Sequence, residues 1–207
     1  MDNINYIDEF TYHPVFQGYI KAVPQGITSH ISAGNVFVGA VDTLVQGIIT
    51  KNINILKMSS FDPVFPLLFA ELIKECDEEG IVYPYFALVP FRGGDKAIEN
   101  ILKQESDLLI VYGGKDAVES YRTDRGLFTK QVEYGPKYSC MYLDAETLQN
   151  SNIQKIAQET AKDFTMWEQS ACSSPHSIFI NDKELAVQFA HYLKEEFEIK
   201  KKEYPLN

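Results

Sequence analysis

Residues 85–114, YFALVPFRGGDKAIENILKQESDLLIVYGG, decide the architecture. Two apolar runs, FALVPF and LLIVY, lack the alternation of a half-buried strand, and a helical stretch lies between them. Asp95 stands where an N-cap carboxylate takes up the first free amides of that helix. Fully apolar strands separated by a helix of about ten residues build parallel sheets covered on both faces.

The same rhythm extends outward in both directions. On the N-terminal side, GITSHISAGN reads as a strand and its exit loop, and residues 36–50 place Val38, Val41, Val45, Ile48 and Ile49 at helical spacing. NINILKM is a β-branched strand. Asp62-Pro63 then opens a helix, as cap and first helical residue, that runs to about Glu79 and stops at Gly80. On the C-terminal side KDAVESYRTD supplies a short helix. The expected fold is α/β, a doubly wound parallel sheet.

The rhythm breaks at Gly126. GLFTKQVEYG and KYSCMYLDA are strand-like runs joined by Gly-Pro with no helix between them, which predicts a β-hairpin near residues 126–144. A helix follows over 152–169, with Ile153, Ile156, Ala157, Thr160, Ala161 and Phe164 on one stripe. A strand, HSIFIND, and a last helix from Lys183 complete the pattern. No repeat or low-complexity linker marks a boundary.

Composition narrows the function. A net charge of −10 and a pI near 4.9 argue against a binder of nucleic-acid backbones, which needs clustered Lys and Arg. Cys76, Cys140 and Cys172 are odd in number and form no CxxC pair, so neither a disulfide framework nor a cysteine-rich zinc site is expected. His13, His30, His176 and His191 show no metal spacing and read as surface or packed residues. The opening MDNINYIDEF has no basic head before an apolar run, and no stretch reaches the roughly 18 apolar residues of a membrane helix. A soluble cytoplasmic protein is the expectation.

Candidate ligand loops follow the strands: SAGN, then LKMSS, FRGGDKA and VYGG. In open parallel sheets ligands sit beyond the carboxyl ends of the strands, where glycine lets backbone amides approach a phosphate. Taken singly, a pair such as Gly93-Gly94 fits an ordinary turn before a helix. GxGxxG is absent, as is a phosphate loop ending in Lys-Ser or Lys-Thr. Cys172, within QSACSSP, fits either a small hydrophobe in a turn or a displayed nucleophile.

Taken in order, HISAGNV, ILKMSSFDPVFP, FRGGDKAI, VYGGKDAVE with EYGPK, and QSACSSPHSIFI resemble the acyl-CoA reductase family of the aldehyde dehydrogenase superfamily. The resemblance covers about Gly26 to Asn181. It implies that Cys172 attacks a thioester carbonyl and that Asn35 donates its side-chain amide to the oxyanion. Lys57 would contact the adenosine ribose, and Gly113 and Gly114 would line the turn near the pyrophosphate. Ser59 and Gly93-Gly94 belong to the same cofactor edge. Where the superfamily often keeps Glu three residues after the lysine, this chain has Ser60, which favours NADPH over NADH. Glu133, in EYGPK, falls where hydrolytic relatives keep a general base; an ion pair or a solvated strand end is the alternative.

The resemblance also implies an N-terminal extension over 1–25, an aldehyde dehydrogenase-like cofactor domain over 26–170, and the start of an incomplete catalytic domain over 171–207. Only 35 residues follow Cys172 in a chain of 207, so the readings are a fragment, one half of a split enzyme, or a degenerate relative. The expected activity is reduction of fatty acyl-CoA to aldehyde, with acyl-CoA or an acyl-protein as donor. An acyl-protein synthetase, a missing half of the enzyme, or further copies of the chain are the expected partners. The rivals are an aldehyde-oxidising dehydrogenase and an inert nucleotide-binding or scaffold fragment.

Overall fold

The computed structural model describes residues 4–203. The chain forms two compact units, residues 1–136 and 137–207. This division falls well before the boundary expected near residue 170.

The first unit begins with a small antiparallel pair, β1 (Thr11–His13) and β2 (Gly18–Ile20), inside the segment expected only to be an extension. Its body is a five-stranded all-parallel sheet. The strands are β3 (Ile27–Ile31), β4 (Ile53–Lys57), β5 (Phe86–Val89), β6 (Leu108–Tyr112) and β7 (Lys130–Tyr134), in the order β5-β4-β3-β6-β7. Four helices connect them: α1 (Val38–Ile49), α2 (Phe65–Cys76), α3 (Lys96–Glu105) and α4 (Lys115–Arg122).

The helices divide between the two faces. Ala40 and Leu44 of α1 pack with Leu56, Met58 and Phe69 of α2, while Leu102 of α3 and Val118 and Tyr121 of α4 pack with Ile31, Leu109 and Val111. This is the doubly wound arrangement that the uninterrupted apolar strands predict. Burial on both faces obliges polar groups inside to pair. His30 does so, its ring nitrogens lying 2.6 Å from Thr43 Oγ1 and 3.0 Å from Asn54 Oδ1. Because Asn54 spends its amide on the Asn52 carbonyl (2.8 Å), its oxygen faces the ring, so His30 donates from Nε2 and accepts from Thr43 at Nδ1. Gly47 of α1 lies against this network, since a Cβ there would collide with the Asn54 side chain.

The hairpin expected near 126–144 does not form. β7 adds to the sheet as a parallel partner of β6, and the later run, β8 (Ser139–Leu143), pairs in parallel with β9 (Pro175–Ile180). An antiparallel hairpin would have left the β6 edge open; β7 closes it, with the Lys130 amide taking up the Asp107 carbonyl at 2.9 Å.

The second unit is β8, α5 (Ala145–Asn150), α6 (Ile153–Thr165), β9 and α7 (Lys183–Glu203). Its core joins Leu148, Ala157, Ala161, Phe189 and Leu193, with Leu143, Ile178 and Ile180 from the strands. Asp144 and Asn152 cap α5 and α6 through their side chains.

Candidate functional site

The strand order places a reversal between β3 and β6, because connections run one way to β4 and β5 and the other way to β6 and β7. Open α/β sheets bind ligands at such a reversal, beyond the carboxyl ends of the strands. The loops there begin at Ser32 after β3 and Gly113 after β6.

Two of the predicted loops are fastened together. A Cβ on Gly34 would collide with Ser59 Oγ and stand 2.5 Å from Phe61 Cβ, so the loop bearing Asn35 rests on the loop bearing Ser59 and Ser60. Ser32 adds its hydroxyl and amide to the Lys57 carbonyl at 2.9 and 3.2 Å. Asn35 and Ser60 are exposed at this edge, while Ser59 is buried and accepts the Phe61 amide at 3.2 Å.

Lys57 ends β4 half-buried, its ammonium 5.6 Å from the centroid of Phe91. Desolvation pulls it below the ordinary lysine range, and the charge of Glu99 pulls it back upward. The Gly93-Gly94 turn is exposed, with Gly94 at φ +91°, a conformation that glycine adopts without penalty. Asp95 accepts the amides of Ala97 and Ile98 as the sequence predicts. After β6, Tyr112 stacks flat on Tyr134 (4.4 Å, 5°), and burial raises its phenol above the ordinary value. Gly113 donates to the Tyr134 carbonyl at 3.3 Å, and Gly114 caps α4 with no heavy atom within 4 Å of where its Cβ would be.

Glu133 lies on β7 and is held by Arg122 through two bonds of 2.8 and 2.6 Å, with Gln131 adding a third at 3.0 Å. The Arg122 bonds and charge hold its carboxyl below the ordinary glutamate range. A general base working near neutrality needs the opposite shift.

Cys172 is exposed, in a turn between α6 and β9 of the second unit. Ser174 donates to the Ala171 carbonyl at 3.0 Å, and Ser139 Oγ to the Cys172 carbonyl at 2.7 Å, so the turn is tied to the start of β8. Ahead of it, Trp167, Glu168 and Gln169 have φ of +59°, +51° and +58°. Each such non-glycine residue costs roughly 1–2 kcal/mol. Sequence reading missed this strained approach, because MWEQ continues the α6 pattern without a glycine to mark the change of hand.

It also missed Glu99. The residue is 4% exposed on α3, and its carboxylate accepts the Gly94 amide at 2.8 Å. Its spacing three residues before Leu102 is the only signal in the sequence. Among the described residues no cluster of His, Cys, Asp and Glu could hold a metal ion, and no helix is long and apolar enough to cross a membrane.

The family model described as acyl-CoA reductase (LuxC) matches residues 1–207. The chain is 30% identical to long-chain acyl-protein thioester reductase 2 of Photobacterium leiognathi over 174 residues, which is 84% of this chain and 35% of that protein. It is 26% identical to the long-chain acyl-protein thioester reductase of Vibrio harveyi over 169 residues, covering 81% and 35%. The chain thus spans about a third of the length of these relatives. Among solved structures, an NAD-dependent benzaldehyde dehydrogenase from Corynebacterium glutamicum superposes at a TM-score of 0.70 with 16% identity, covering 85% of this chain and 38% of that one. Aldehyde dehydrogenase C of Pseudomonas syringae, solved as a mutant with NAD+ and octanal, gives 0.72 with 15% identity, covering 86% and 36%. These likenesses assign the fold.

Proposed function

The chain belongs to the acyl-CoA reductase (LuxC) family, and from that membership we propose that the whole protein reduces a long-chain acyl thioester, carried by CoA or by a protein, to the aldehyde. The exposed thiol of Cys172 carries this reading. Its thiolate attacks the thioester carbonyl, a carbon–sulfur bond forms, and the donor's thiol leaves with a proton. Asn35 supplies a side-chain amide for the oxyanion. After reduction at the acyl carbon, collapse of the adduct breaks the bond to Cys172, frees the aldehyde and restores the thiolate.

A dinucleotide fits the sheet edge of the first unit. Gly93, Gly94 and Gly114 have open space where a Cβ would stand, and α1 opens with neither a side-chain cap nor an acidic residue in its first turn. Lys57, Ser59, Ser60, Gly93, Gly94, Gly113 and Gly114 would hold it; a bound reduced nicotinamide supplies the hydride. Lys57 to Ser60 contains no carboxylate to repel a 2′-phosphate, so NADPH is preferred to NADH. The bidentate Arg122 pair supports a structural role for Glu133 over activation of water, and so weighs against aldehyde oxidation.

Incubation with a radiolabelled long-chain acyl-CoA or acyl-protein tests the assignment. Wild type takes up label and Cys172→Ala takes up none; equal labelling overturns the nucleophile. NADPH binding by this chain without any acylation, even beside the remaining segments of a full-length relative, would favour the inert-fragment reading.

A further inference from the structure

A buried carboxylate is costly unless it is partnered. Glu99 accepts the Gly94 amide at 2.8 Å on one oxygen and the Ser120 hydroxyl at 3.4 Å on the other. The groups facing it are Lys57 from β4, Ser120 and Tyr121 from α4, and Lys103 one turn along α3, whose ammonium lies 5.4 Å over the Tyr121 ring. Lys57 and Ile55 are two residues apart on β4 and share a face. Ile55 and Phe91 pack on the cluster that contains Leu102 of α3, so Lys57 projects toward the side of the sheet from which Glu99 approaches.

We propose that Glu99 is a positioning residue for the dinucleotide edge, fixing the Gly93-Gly94 turn through the Gly94 amide and placing a negative charge on the side of the sheet toward which Lys57 projects. One interior carboxylate thereby links the ends of β4 and β5 to α4. The role rests on the reading of Lys57 and Gly93-Gly94 as dinucleotide contacts. No catalytic step passes through Glu99.

Glu99→Gln separates the two duties, since the amide oxygen still accepts from Gly94 while the charge is removed. In the 207-residue chain, 13C NMR of reductively methylated lysines, with Lys57→Arg to assign the signal, reads the Lys57 titration directly. Fluorescence titration across pH reads NADPH affinity. Glu99→Gln is expected to move the Lys57 titration to lower pH, weaken NADPH about tenfold, and shift the loss of binding on alkalinisation to lower pH. In a Lys57→Met background it adds no further loss of affinity. An unchanged Lys57 titration overturns the proposal, as do losses that simply add in the double variant. A moved titration with unchanged NADPH affinity overturns the cofactor reading of Lys57, and the positioning role with it. If Glu99→Gln does not fold, Glu99→Asp, which keeps the charge, should leave the Lys57 titration near wild type; a drop overturns the proposal.

Discussion

The two units are both built on parallel strands, yet they treat their sheets differently. In the first, helices cover both faces, and β3 is buried along nearly its whole length. In the second, α6 and α7 pack on one side of β8 and β9, while Tyr138, Tyr142 and Phe179 remain exposed. Parallel sheets ordinarily have both faces covered. The comparison teaches that an apolar strand specifies its own extended conformation but not how many layers will cover it. The covered sheet of the first unit also encloses His30, bonded to Thr43 and Asn54, and Glu99, bonded to Gly94 and Ser120, so both of these buried polar groups have partners.

Core truncation gives the largest expected effect. Leu109→Ala, at a fully buried position, should cost about 2–5 kcal/mol in denaturant unfolding. Tyr142→Ser, on the open face, should stay within about 0.5 kcal/mol. Equal losses would break the contrast between covered and uncovered faces. Next in size is Gly34→Ala, which forces two packed loops apart and should cost about 1–3 kcal/mol, with weaker NADPH binding measured by calorimetry.

Acidification sharpens the comparison further. Burial holds His30 below its ordinary value of 6.5, so the unfolded chain binds the proton first as pH falls. Stability from this group is whole above about pH 6.5 and declines below it. Thermal melts from pH 7.5 to 5 should therefore fall more steeply for wild type than for His30→Gln. The smallest effect is expected for Glu133→Gln, whose pair with Arg122 is solvent-screened; acyl labelling of Cys172 should not change.

Much of this was legible in the sequence. Asp95 capped the helix that its position predicted, and LLIVY became an inner strand because burial on both faces suits an uninterrupted apolar run; the β-branched NINILKM became another, with Asn54 buried against His30. Gly135-Pro136 misled because a turn signal gives a change of direction without naming the partner strand, and partner choice for β7 and β8 depends on edges formed far away in sequence. Glu99 was illegible for a related reason. A glutamate in a helix rich in charge reads as solvated, and only the placement of α4 and β4 seals it in.

The strained residues before Cys172 include Trp167, the single tryptophan of the chain. Indole emission therefore comes from one place, five positions from the thiol, partly open to solvent. Stopped-flow mixing with an acyl donor would report the proposed loading of the thiol through that intrinsic signal, with no dye attached.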